Sequence, residues 1–166
     1  MRGAKRLAFM ALLTAAALIV FVIEAQIPPI VPVPGIKLGL ANVITLVAMY
    51  LLSRKEAGLV LLMRIILGAV FAGSPSTFLF SAIGGLLAYT VMCALKGPVP
   101  ESRIWLVSIL AAVAHNLGQM IVCVLVVKTP GVLVYLPVLI ASGILTGAFT
   151  GVAAMYLVRA IRKIKL

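Results

Sequence analysis

The sequence predicts an all-α integral membrane protein, a bundle of six transmembrane helices forming a single domain over residues 1–166. Three observations predict it. Apolar residues make up 64% of the chain and charged residues only 10%, which excludes an ordinary soluble domain. The apolar residues fall into six runs, most of them near the ~20 residues that a helix needs to cross a bilayer. The fourteen basic residues gather at the ends of those runs, so the net charge of +11 reads as membrane orientation and not as a nucleic-acid surface.

The elements follow in order. A short basic lead carries Arg2, Lys5 and Arg6, and the first helix is expected over 7–24. It is too long for a signal-peptide core and has no clear small-residue cleavage site, so it is read as a mature helix. Ala11 and Ala15 form an AxxxA strip on it, a smooth face that lets another helix approach closely, within this chain or from a partner. The stretch 28–45, PPIVPVPGIKLGLANVIT, holds four of the nine prolines and runs into the second helix, 38–52. Its prolines fix φ and remove donors, so it can cap the bundle near the membrane with few unsatisfied groups. Arg54, Lys55 and Glu56 form a charged turn before the third helix, 57–72, and an uncharged Gly-Ser-Pro-Ser turn precedes the fourth, 77–95. A polar loop leads to the fifth helix, 104–127, and Pro137 suits the first turn of the sixth, 136–158. In the sixth, Gly143, Gly147 and Gly151 recur at every fourth position, a tight helix-packing face. Cys93 and Cys123 lie inside apolar runs with no metal-ligand spacing and read as small packing residues.

Placing both termini in the cytoplasm puts all but three of the fourteen basic residues on the inner side. Lys37 and Lys128 lie outside, and Arg64 lies within the membrane. That asymmetry is the positive-inside pattern, and it sets the proline-rich segment on the outer face of a multi-pass protein of the cell membrane.

The polar residues that could carry chemistry are few. Arg64 sits mid-membrane, where an arginine costs ~2.5–3.5 kcal/mol on insertion scales, so it must face protein or water. Glu24 is its candidate ion-pair partner; otherwise Arg64 is a cation awaiting an anionic ligand. In the fifth helix Ser108, His115 and Gln119 share a face, which Asn116 extends, and three polar side chains in five residues point to a wet or ligand-lined surface. No second histidine or acid stands at zinc-ligand spacing, and no acid orients His115 as in a nucleophilic triad. Lys37 is either a headgroup anchor or an outer attractor for an anion, with Asn42 one turn further in and Ser81 on the fourth helix. Lys37, Asn42, Arg64, Ser81, His115, Asn116 and Gln119 thus form the candidate binding set for a small anionic or amphipathic molecule.

PVPGIKLGLANVITL, SPSTFLFSAIGGLL, AVAHNLGQ and YLPVLIASGILTG resemble the Gx transporter family, which is often labelled heptaprenyl diphosphate synthase component I. The resemblance covers nearly the whole chain and extends to the substrate-binding S components of energy-coupling-factor transporters. It implies an outward pocket, a lid at 27–38, and a partner interface at Ala11 and Ala15 for a membrane coupling subunit served by ATPase subunits. The chain is then a transport subunit with no cofactor, no catalytic residues and no nucleic-acid partner. Uptake would need another chain's ATPase, since no GxxxxGK[ST] loop is present. The family label points to a second role, as a non-catalytic membrane partner of a prenyl diphosphate synthase. Such synthases hold Mg²⁺ with clustered aspartates, and this chain has none; its acids are Glu24, Glu56 and Glu101. A third role, in assembling membrane quinone- or flavin-linked electron transfer, is implied by association alone.

Overall fold

The computed structural model describes residues 3–28, 36–72 and 75–163. Most of the proline-rich segment, 29–35, lies outside the described residues. Six α-helices follow one another: α1 (Gly3–Glu24), α2 (Asn42–Leu51), α3 (Arg54–Ala72), α4 (Pro75–Leu95), α5 (Ile104–Val127) and α6 (Leu136–Lys163), with 3₁₀ turns at Glu101–Arg103 and Pro130–Tyr135. No strand occurs among the described residues.

The bundle is built around its shortest helix. Every residue of α2 from Ile44 to Tyr50 is buried, the mark of a helix that is apolar all round and enclosed by its neighbours. It touches each of the other five helices. Ten residues rise only ~15 Å, about half a bilayer's apolar thickness. Among the described residues, four segments are long and apolar enough to cross a membrane: Gly3–Glu24, Pro75–Leu95, Glu101–Val127 and Pro130–Lys163. The expected six helices are present, but α2 and α3 are not among these four segments, and α2 is shorter than the expected 38–52. Residues 36–39 are not helical, and Gly39, with φ +77°, turns the chain into the helix.

Cations hold the other end of α2. Lys96 Nζ donates to the carbonyl of Met49, and Arg162 Nη2 donates to that of Tyr50 at 3.1 Å. Both charges sit where the helix dipole is negative. Arg162 also pairs with Glu101 at 2.7 Å, fastening the end of α6 to the loop before α5. The charged residues expected as a turn before 57 are instead the first turn of α3, and Ser53 and Glu56 form its capping box. Glu56 N donates to Ser53 Oγ at 3.3 Å, and Ser53 N donates to Glu56 Oε2 at 2.9 Å. The same carboxylate takes an ion pair from Arg6 of α1.

Glycines set the close contacts. A Cβ on Gly147 would lie 2.6 Å from Ile109 Cα, and one on Gly151 2.6 Å from Trp105 Cα, so the expected glycine face packs α6 directly on the α5 backbone. Gly118 meets Gly84 in the same way between α5 and α4, its Cβ position 2.8 Å from Gly84 Cα. Large apolar side chains point outward instead: Val70, Phe71, Leu145 and Phe149 are each at least 70% exposed. Apolar surface of that kind suits lipid and not water.

Candidate functional site

The buried polar side chains converge where α1 ends, α2 begins and residues 36–41 cross the bundle. Gln119 of α5 is the clamp. With the amide turned so that its oxygen meets donors and its nitrogen meets an acceptor, it donates to the carbonyl of Lys37 at 2.8 Å and accepts from the Lys37 N–H at 3.2 Å and from His115 Nε2 at 3.1 Å. One amide therefore satisfies both backbone groups of a loop residue 82 positions away in sequence. From the opposite side, Glu24 Oε1 accepts from Gly39 N at 2.6 Å. Gly39 is required twice over: its φ is positive, and a Cβ would lie 2.7 Å from His115 Cδ2 and 3.1 Å from Asn42 Nδ2.

The cations lie beneath. Arg64 is 3% exposed, and its Nη2 donates to Asn42 Oδ1 at 3.0 Å. Lys37 Nζ stands 3.8 Å above the centre of the Phe21 ring, and the Arg64 guanidinium is 5.8 Å from that centre, so one ring faces two cations. Burial pushes the Lys37 ammonium below its ordinary pKa, against the pull of Glu24. Glu24 and Arg64 make no contact ion pair; the carboxylate is spent on the loop and the guanidinium on Asn42, and the two attract only through space. In place of the candidate pair there are two separate hydrogen bonds, both reaching residues at the entry to α2.

Among the described residues, Arg64 Nε, Asn42 Nδ2, His115 Nδ1 and Thr45 Oγ1 are buried without a hydrogen-bond partner. Several unsatisfied polar atoms in one cluster call for an explanation, and a polar ligand is one. Beside them Gly39, Asn42, Ser108, Thr146 and Thr150 help to line a cavity of about 10 Å³, room for about one water and far below the ~300 Å³ of a small-molecule pocket. The loop is seated on its cluster.

Of the residues expected from sequence, Lys37, Asn42, Arg64, His115 and Gln119 come together, with Glu24 beside them. Ser81 is buried on α4, one turn before Gly84, whose Cβ position would lie 2.8 Å from the His115 ring. Asn116 goes elsewhere. Its Nδ2 donates to Leu139 O at 2.6 Å and approaches Ser142 Oγ at 3.4 Å, so it joins α5 to α6. Ser108 likewise bonds Thr150 of α6 at 3.1 Å. Phe21 was not singled out from sequence; its only signal is an aromatic ring three residues before Glu24, on the same helical face. Ala11 and Ala15 are exposed on α1, away from the cluster.

The family described as heptaprenyl diphosphate synthase component I matches residues 13–157, a span that contains α2 to α5 whole and every residue of the cluster. The chain belongs to that family. As a component I family member it is all-helical among the described residues, with four segments there able to cross a membrane, and the expected component I label holds. No curated protein and no solved structure gives a significant match to this component I chain.

Proposed function

We propose that this chain is the substrate-binding membrane subunit of an energy-coupling-factor-like transporter, taking a small anionic or amphipathic organic solute from the outer face. The observation that carries the reading is the buried Arg64, which has no carboxylate in contact and shares its cluster with unsatisfied donors under a clamped loop. All six helices lie in the membrane, both termini are cytoplasmic, and the segment 27–38 is the lid. In the seated state Gln119 and Glu24 hold the loop; on its release Arg64 and Lys37 neutralise the solute while Asn42, His115 and Gln119 orient it. The unsatisfied Arg64 Nε and Asn42 Nδ2 then gain acceptor oxygens. The exposed Ala11 and Ala15 face the coupling subunit, and ATPase subunits drive reorientation of the bundle.

Arg64→Ala tests the site. Removing one partner of a buried charge contact costs ~2–5 kcal/mol, so affinity for the solute that co-purifies with the wild-type protein should fall at least about 30-fold. Unchanged affinity would refute the anion site.

The family description favours a second reading, a non-catalytic membrane partner of a heptaprenyl diphosphate synthase. With no aspartate in the chain, the Mg²⁺–diphosphate chemistry would belong to a soluble subunit. This reading expects stable association with an aspartate-rich prenyltransferase and a gain in its activity. An accessory role in quinone- or flavin-linked electron transfer would show neither.

A further inference from the structure

Helices α3 and α4 part along their outer faces and leave a groove of about 440 Å³. Leu62, Ile65, Ile66, Phe78 and Leu86 line it, and its surface is almost wholly apolar. Leu62 and Leu86 are half-exposed, so the groove opens sideways, toward lipid. It runs from Gly58 and Tyr89 to Ile66 and Phe78. At 1.5 Å per residue these stretches are roughly 12 Å and 16 Å long, close to the ~15 Å depth of one leaflet.

The end at Gly58 is different in chemistry. A Cβ on Gly58 would lie 2.9 Å from Tyr89 Oη, and that hydroxyl donates to Arg54 O at 2.8 Å. The Arg54 guanidinium reaches across to the end of α4, with Nη2 3.8 Å from the Cβ position of Gly97. Lys55 is exposed on the next residue. Burial, and then the neighbouring charges of Arg54 and Arg162, push the Lys96 ammonium below its ordinary value. The acids nearby are already taken, Glu56 by Arg6 and Glu101 by Arg162, and no carboxylate pairs with Arg54 among the described residues. An apolar slot one leaflet deep therefore ends in cations that lack a counter-ion.

We propose that this groove holds a hydrocarbon chain of an anionic phospholipid from the inner leaflet, with the lipid phosphate on Arg54 and Lys55. A partner helix fits less well, since it would cross the full ~30 Å and the groove stops half-way. The site rests on the membrane orientation proposed above, not on whether the chain serves transport or synthesis.

The test places the full-length protein in nanodiscs of equimolar dioleoylphosphatidylglycerol and dioleoylphosphatidylcholine, which share chains and differ in head charge. Lipids retained on release are counted by native mass spectrometry. Two basic residues at an anionic headgroup should give roughly ten-fold or greater preference for the glycerol lipid. Arg54→Ala with Lys55→Ala should bring the ratio near one, and Arg54→Lys should keep it. Ala82→Phe, which fills the groove, should lower retention of both lipids in a protein whose helical circular dichroism is unchanged. Equal retention of the two lipids by wild type, or a preference that survives loss of both cations, would overturn the site. Labelling of a Lys55→Cys protein with an impermeant maleimide reads orientation separately. Labelling only from outside would overturn the orientation and the inner-leaflet assignment together. Cytoplasmic labelling without lipid preference would overturn the lipid site alone.

Discussion

Gln119→Met removes the clamp on the loop while keeping the side chain's length and approximate volume. The amide makes two hydrogen bonds to the Lys37 backbone, at 2.8 and 3.2 Å. A neutral hydrogen bond contributes ~0.5–1.5 kcal/mol net, so the pair contributes roughly 1–3 kcal/mol to the seated state. Every ~1.4 kcal/mol is a factor of ten, which makes opening of residues 36–41 roughly 5- to 140-fold more frequent in the variant. Amide hydrogen exchange in nanodiscs reads this directly at Lys37, Leu38 and Gly39, because locally opened backbone exchanges without global unfolding. Ser108→Ala serves as the comparison, since Ser108 bonds α6 and not the loop. Exchange at 36–41 that stays within two-fold of wild type in a Gln119→Met protein of unchanged Tm would refute the clamp.

Other perturbations test the packing and the partner face. Gly118→Ala and Gly147→Ala drive a methyl into backbone atoms at 2.8 and 2.6 Å, and each should destabilise by ~1–3 kcal/mol, seen as a fall of several degrees in a detergent melt; an unchanged Tm would deny the close helix contacts. Ser53→Ala breaks the capping box of α3 and should cost about 0.5–2 kcal/mol, with a correspondingly lower Tm. Ala11→Trp and Ala15→Trp fall on exposed sites, so they should leave the melt unchanged while abolishing co-purification of the coupling subunit. Partner binding that survives both would remove that interface.

The helices were legible because bilayer-length apolar runs have few alternatives. Their ends were less so. The sixth was expected to stop at 158, where the charges begin, yet α6 continues to Lys163. Long basic side chains can reach water from a helix that keeps its hydrogen bonds, so a change in composition marks the membrane edge and not the helix end. The second helix failed at the other end: an apolar run does not show whether 38–41 is helix, and the turn there falls at Gly39. In the site, residue types were informative and directions were not. His115 and Asn116 are adjacent, and a step of one residue turns a helix by about 100°, so one faces the loop and the other faces α6. The Gln119 clamp was invisible because its partner is backbone, which carries no sequence signal. Glu24 was a candidate partner for Arg64 as the nearest acid in the sequence, but a loop N–H and an asparagine oxygen take the two side chains separately.

Native mass spectrometry of the protein released gently from its own membranes, recording small molecules and protein partners in one spectrum, tests the proposed function most directly. The account predicts a retained anionic or amphipathic solute, lost in Arg64→Ala, together with coupling and ATPase subunits. A prenyltransferase partner with no solute would contradict it, and the polar cluster would then be a device for packing the loop onto the bundle.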